Sequence, residues 1–221
     1  MSEKVRIDLP SSEHVTALVY PASPSKRVGL RLILAHGAGS NQLSPAMTRT
    51  ATALSARGFE TVTFNFLYSE KKKGAPDKSD KLEACWRRVI ETFSEPDRRL
   101  VIGGKSMGGR IASQVAAADS SGLAGLVFLG YPLHPPGRPE QLRSKHLPDI
   151  KAPMLFVQGA KDAFGTPEEL KPILKKLKHT ELCVVEDADH SFKVPKRGPI
   201  TQEAVFGRVQ DQIAGWIGQL A

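Results

Sequence analysis

The sequence predicts an α/β fold, a mostly parallel central sheet with helices on both faces, and three observations carry that reading. Strand-like apolar runs alternate with helical patterns of about 10 to 15 residues from residue 30 onward, the order that demands right-handed crossovers and parallel strands. The runs "LRLILA", "GLVFLG" and "PMLFVQ" are close to continuously apolar, as strands buried on both faces must be. Two of the strands run straight into glycine-rich turns, "HGAG" and "GGKSMGG", and in parallel sheets chemistry gathers beyond the carboxyl ends of the strands.

Each element follows in order. "VRIDL" and "HVTALVYP" read as two opening strands, paired antiparallel, and "LRLILAHG" is a strand that stops at glycine. "SPAMTRTATALSARG" sets Met47, Ala51 and Leu54 on one helical face, with Gly58 as its stop. "FETVTFNF" alternates as a strand does, and in "DKLEACWRRVIETF" Leu82, Cys85, Trp86, Val89, Ile90 and Phe93 keep helical spacing. "RLVIGG" then leads into a helix with Met107, Ile111 and Val115 on its buried side, followed by the strands "GLVFLGYP" and "APMLFVQG". "TPEELKPILKKL" opens with Thr166 as N-cap, Pro167 at the first helical position and Glu169 completing a capping box. Pro172 is expected to bend or restart that helix, because it removes a backbone donor. "ELCVVED" is the last strand, and "AVFGRVQDQIAGWIGQL" closes the chain with Val205, Phe206, Val209, Ile213, Trp216, Ile217 and Leu220 on one stripe.

At 221 residues the chain is read as a single domain over 1–221, long enough to bury a core without disulfides. Cys85 and Cys183 have no metal-type spacing and cannot make a disulfide framework. "MSEKVRIDLP" lacks the apolar run of a signal peptide, and no stretch approaches the roughly 18 apolar residues of a membrane span. A cytoplasmic location is expected. The formal charge is +8, with basic clusters at Lys71 to Lys73, Lys171 to Lys178, and Lys193, Lys196 and Arg197. These read as solvated surface. Nucleic acid as a partner is disfavoured, since no zinc-finger spacing, RNP motif or aromatic-interleaved basic strand accompanies them.

The stretch "LVIGGKSMGGRIA" poses a choice between holding a phosphate and presenting a nucleophile. A Walker A loop needs glycine five residues before the glycine of Gly104-Lys105-Ser106. Arg99 stands there, and Arg99 to Ile102 belong to the strand, so no loop remains to wrap a phosphate. At Gly37-Ala38-Gly39 a dinucleotide fingerprint fails because Gln42 replaces its third glycine. Neither a nucleotide nor any other cofactor is implied, and no metal. A nucleophile elbow fits instead: Ser106 between strand and helix, with Gly104 and Gly108 two residues to either side where a Cβ would clash. The turn lifts the hydroxyl to a helix N-terminus, whose dipole and free amides favour an oxyanion.

Serine needs a base, and the base an orienting carboxylate. For a strand–elbow arrangement the chain order is serine, acid, histidine. His190 in "EDADHSF" follows the last strand and is the base candidate. His36 precedes the serine and is excluded by that order. His14, His134, His146 and His179 are expected to be mostly ordinary surface residues. Among Asp162, Glu186, Asp187 and Asp189, the favoured acid is Asp162 in "GAKDAF", beyond the end of the strand "PMLFVQG"; Asp189, adjacent to the histidine, should point away. "HGAGSN" supplies the remaining part. Its Ala38, with Gly39 next, is the expected second oxyanion donor beside the backbone N–H of Met107.

With these residues in place, the chain resembles the α/β-hydrolases, of the small, lid-poor kind similar to dienelactone-hydrolase-like proteins. "LAHGAGSN", "FNF", "GGKSMGGR", "GYPLHPPG", "GAKD" and "DADHSF" resemble more closely a family that includes testis-expressed hydrolase-like proteins and a hydrolase-like subunit of a histone-acetyltransferase complex. The resemblance implies an α/β-hydrolase fold with minimal or no lid, Ser106 as nucleophile, Asp162 as acid and His190 as base. Dienelactone hydrolases proper carry cysteine where this chain has Ser106. Lys105 stands where esterases often have an aromatic residue or histidine; it either pairs with a nearby carboxylate or sets a cation near an acidic substrate group. The expected activity is that of a serine hydrolase cleaving small carboxylic esters or thioesters through an acyl-enzyme, with no cofactor. The alternative is a catalytically silent module of the same fold, binding protein or nucleic acid through its basic surface.

Overall fold

The chain opens with an antiparallel pair, β1 (Glu3–Asp8) and β2 (His14–Tyr20), and then enters the predicted alternation. β3 (Leu30–Ala35) leads to α1 (Pro45–Ala56), and β4 (Glu60–Phe64) leads through the short α2 (Leu67–Glu70) to α3 (Ser79–Phe93). β5 (Arg99–Lys105) feeds α4 (Met107–Ala118), after which come β6 (Leu123–Leu129) and β7 (Met154–Gly159). α5 (Pro167–Leu174), β8 (Thr180–Val185) and α6 (Gln202–Gly218) complete it. The structure is a computed structural model that describes residues 2–23 and 29–220. Among the described residues, eight strands form one sheet in the order β1-β2-β4-β3-β5-β6-β7-β8. β2 runs antiparallel to β4, and every pairing from β4 to β8 is parallel. This is the α/β-hydrolase architecture that the motifs implied.

The period-2 geometry of a strand divides the core between two faces. Leu30, Leu32 and Leu34 of β3, Val101 of β5, Val127 of β6, and Leu155 and Val157 of β7 point to one face, where Met47 and Leu54 of α1 meet Val209, Ile213 and Ile217 of α6. Ile33, Ile102, Phe128 and Phe156 point to the other, under Trp86 and Val89 of α3, Ile111 of α4 and Leu170 of α5. Burial of each large apolar side chain contributes about 1.5–3 kcal/mol before entropy is set against it. The stripes predicted for α1, α3 and α6 are the buried ones, except that Ile90 and Phe206 are only half-buried and Leu220 lies past the end of α6.

Three local readings differ. α2 is an element the sequence does not announce, because four residues make little more than one turn and leave no periodicity to detect. It is held by burial of Tyr68 and by Glu70, whose Oε1 accepts the backbone N–H of Thr16 at 2.7 Å. Arg31, within the run "LRLILA", is 7% exposed, and its charge is met by Glu60 at 2.5 Å, Glu95 at 2.8 Å and the Phe93 carbonyl at 2.7 Å. A buried charge without such partners would be strongly destabilising. Pro172 does not restart α5, which runs two residues past it. The carbonyl that loses its donor belongs to exposed Glu168, where water can replace the bond, and the Thr166–Glu169 capping box holds the start of the helix.

Candidate active site

Ser106 is the single residue between β5 and α4, at φ 51° and ψ −119°. A non-glycine residue persists there only when its surroundings over-determine it. The chain around it does so: Ser106 N–H donates to the Leu129 carbonyl at 3.1 Å, and the Ser106 carbonyl accepts from Arg110 N–H at 3.0 Å. The flanking glycines are required by close approach. A Cβ on Gly104 would lie 2.2 Å, and one on Gly108 2.5 Å, from the carbonyl oxygen of Ala35 in β3. Trp86 clamps the first turn of α4 from α3, donating Nε1–H to the Gly108 carbonyl at 3.2 Å.

His190 sits between β8 and α6 and reaches the elbow from 84 residues away in sequence, its Nε2 lying 2.8 Å from Ser106 Oγ. Its Nδ1 lies 2.8 Å from Oδ2 of Asp162, in the loop after β7. Asp162 is 1% exposed. Besides His190 it accepts from Gln158 Nε2 at 2.8 Å and from the Phe164 backbone N–H at 2.8 Å. The Gln158 amide and the Phe164 N–H are both donors, and a carboxylate anion only accepts. The proton therefore sits on Nδ1, and Nε2 presents its lone pair to the serine hydroxyl. The Phe164 ring covers the imidazole at a centroid distance of 4.2 Å.

The other acidic candidates are placed elsewhere. Asp189 turns away from its neighbour, its Oδ1 accepting the backbone N–H groups of Ser191 at 2.7 Å and Lys193 at 2.9 Å. Asp187 pairs with Lys161 at 2.7 Å, and Glu186 is exposed. His36 is buried under the loop that follows β3. Its Nδ1 faces the Gly37 carbonyl at 2.8 Å and its Nε2 accepts Phe66 N–H at 3.3 Å, while burial lowers its pKa below the ordinary 6.5. It is thus a neutral brace for that loop. The expectation of surface histidines holds for His14 and His179 and fails for two others. His134 is buried against Glu169 at 3.2 Å, and His146 is tied to Ser113 Oγ at 2.7 Å. Both sit in the long β6–β7 connection, which folds back onto α4 and α5.

Met107 is the first residue of α4, so its N–H has no carbonyl four residues back within the helix. The β3–α1 loop leans on the elbow: a Cβ on Gly37 would lie 3.5 Å from Ser106 Cβ, and exposed Ala38 follows it. Lys105 does not make the ion pair expected of it. Its ammonium donates to the backbone carbonyl of His190 and lies 5.4 Å from the centre of the Phe192 ring. Burial pushes its pKa down to about 8, with Asp162 and Asp189 acting in the opposite sense. Gln158 and Phe164 escaped the sequence reading. The signal for Gln158 was an amide ending an otherwise apolar strand, "MLFVQ"; for Phe164, two residues after the acid, there was none.

Among solved structures the chain is similar to an α/β serine hydrolase without a lid from Xanthomonas campestris, at 24% identity and a TM-score of 0.76, covering 97% of this chain and 94% of the other. An α/β serine hydrolase homologue from Coxiella burnetii matches at 22% identity and 0.73, over 96% and 95%. A dienelactone hydrolase from Anabaena variabilis matches at 19% and 0.73, over 99% and 97%. At these identities the likeness is one of fold. Residues 28–218 match the family described as alpha/beta hydrolase domain, and with that match across most of its length the chain belongs to that family.

Proposed function

We propose that this protein is a serine hydrolase that cleaves carboxylic esters or thioesters of small substrates through an acyl-enzyme. The observation that carries the reading is the unbroken relay from Ser106 Oγ to His190 Nε2 at 2.8 Å and from His190 Nδ1 to Asp162 Oδ2 at 2.8 Å. Ser106 attacks the carbonyl carbon while its proton passes to Nε2, and the carbonyl π pair moves to oxygen. Asp162 holds the tautomer and stabilises the imidazolium. The oxyanion lies at the start of α4, where the N–H groups of Met107 and Ala38 are the proposed donors. Collapse expels the alcohol or thiol, which takes the proton from Nε2. Water then enters by the same route in reverse roles and releases the acid. The finer kinship with the testis-expressed hydrolase-like proteins rests on the shared motifs alone.

The test is a fluorophosphonate probe followed by mass-spectrometric mapping of the labelled residue. Wild type should carry the label on Ser106, and Ser106→Ala should carry none. Equal labelling of the two proteins, or no labelling of native wild type, refutes the reading. A panel of p-nitrophenyl esters and acyl thioesters then separates the two substrate classes.

A further inference from the structure

Among the groups around the relay, Lys105 makes a contact that the mechanism leaves unused. It precedes the serine in sequence, and its ammonium donates to the backbone carbonyl of His190. Gly130 lies beside that contact. Gly130, at the end of β6, has φ +67°, and a Cβ there would come 2.8 Å from Lys105 Nζ, 3.1 Å from the His190 carbonyl oxygen and 3.2 Å from His190 Nδ1. One bare glycine thus clears space for both the lysine and the histidine.

We infer that Lys105 is a positioning residue: its charged ammonium, threaded past Gly130 onto the main-chain carbonyl of His190, holds the histidine loop so that Nε2 stays in line with Ser106 Oγ. The inference rests on the proposed serine-hydrolase reading. His190 belongs to an irregular segment after the last strand, with Phe192 two residues on at φ 58°, so no sheet ladder fixes its main chain. The imidazole itself is oriented by Asp162. A charge-assisted bond to the carbonyl fixes the other end of the residue, and such bonds are roughly twice as strong as neutral ones. A catalytic group displaced by about 1 Å can lose on the order of 100-fold in rate.

The surroundings of the ammonium give the contact a pH dependence. The carboxylates of Asp162, from the loop after β7, and of Asp189, from the histidine's own loop, act on its charge. From α1, Arg49 lines the same small cavity, with Gln210 of α6 beside it. Burial outweighs the two carboxylates and leaves the lysine titrating near pH 8. Above that pH the contact loses its charge, and the hold on His190 weakens. A charge kept in a buried place also costs stability. Replacing Lys105 by methionine should therefore leave the fold as stable or more so while lowering activity, the opposite pairing from that of a lysine that only supports structure.

Two measurements test this. The first is the rate of fluorophosphonate labelling at Ser106 from pH 6 to 10 for wild type, Lys105→Met and Lys105→Arg, with thermal melts of each. Wild type should lose rate above about pH 8. Lys105→Met should be roughly 10-fold to 100-fold slower at pH 7, with no such limb and an unchanged or higher melting temperature. Lys105→Arg should recover part of the rate and stay flat through pH 9, since arginine keeps its charge. The second is the carbonyl carbon resonance of selectively labelled His190, which should show a step near pH 8 in wild type that is missing from Lys105→Met. Wild-type labelling with an equally fast Lys105→Met overturns the inference and leaves the proposed function standing. No wild-type labelling removes the catalytic sense of both. A wild-type carbonyl resonance with no step near pH 8 overturns the inference without any variant having to fold.

Discussion

Gln158 donates its side-chain amide to Oδ2 of Asp162 at 2.8 Å, the same oxygen that receives His190 Nδ1. The amide is fully buried and does more than hold the acid. Its Nε2 also meets the Gly165 carbonyl at 2.7 Å, and its Oε1 accepts Tyr131 N–H at 2.8 Å. One side chain at the end of β7 thus joins the acid loop to the strand beside it and to the turn that follows β6.

Gln158→Leu therefore strands several buried polar groups at once. We expect a loss of about 1–3 kcal/mol in unfolding free energy and at least a 10-fold slower labelling of Ser106. Urea titration and probe kinetics on the same preparation check both, and a variant with unchanged labelling removes Gln158 from the support of the acid.

Asp162→Asn should be far more severe than its size suggests. An amide can donate to Nδ1 and so favour the tautomer with its proton on Nε2, which cannot accept from serine. Ester turnover should fall about 10,000-fold with the fold intact. Because the three groups act as a unit, adding Ser106→Ala to Asp162→Asn should reduce the rate little beyond Ser106→Ala alone. Additive losses in such a cycle would contradict the relay.

Stability should decline as pH falls below about 6.5. His36 and His146 both have pKa values lowered by burial from the ordinary 6.5, so the unfolded chain takes up protons there before the native one does, and unfolding is favoured. The contribution is fully present above pH 6.5 and is lost as pH falls toward the depressed native values. His36→Gln should flatten part of this slope and leave the part due to His146. Urea midpoints at half-unit steps from pH 5 to 7.5 measure it; a wild type equally stable at both ends would show that neither histidine is buried neutral.

Trp86 links core and site in one side chain. It is fully buried, edge-on to Phe64 at a centroid distance of 4.8 Å, and bonded to the Gly108 carbonyl. Trp86→Ala should cost about 3–5 kcal/mol. Trp86→Phe keeps most of the volume and loses the bond, so it should cost nearer 1 kcal/mol and slow labelling at Ser106 through a looser first turn of α4. Chemical denaturation of the two variants separates packing from the hydrogen bond.

What the sequence by itself determined is the part of the protein that local chemistry dictates. The apolar runs of β3, β6 and β7 have no exposed face to offer, so they had to be central and parallel. The glycines around Ser106 mark a backbone too crowded for Cβ, and chain order then singled out His190 over His36 and directed attention to Asp162. The tertiary structure decided everything that depends on which distant chain lies alongside. Arg31 could enter a core strand only because Glu60, Glu95 and the Phe93 carbonyl converge on it. His134 is buried and His146 half-buried because their connection folds back onto α4 and α5. Lys105 passed over the carboxylates expected of it and took a main-chain carbonyl 85 positions away, through a gap left by Gly130. Hydrogen-bond partners of this kind have no period or spacing in the sequence. They are set by the register of neighbouring strands and the path of the loops, which exist only once the sheet has formed.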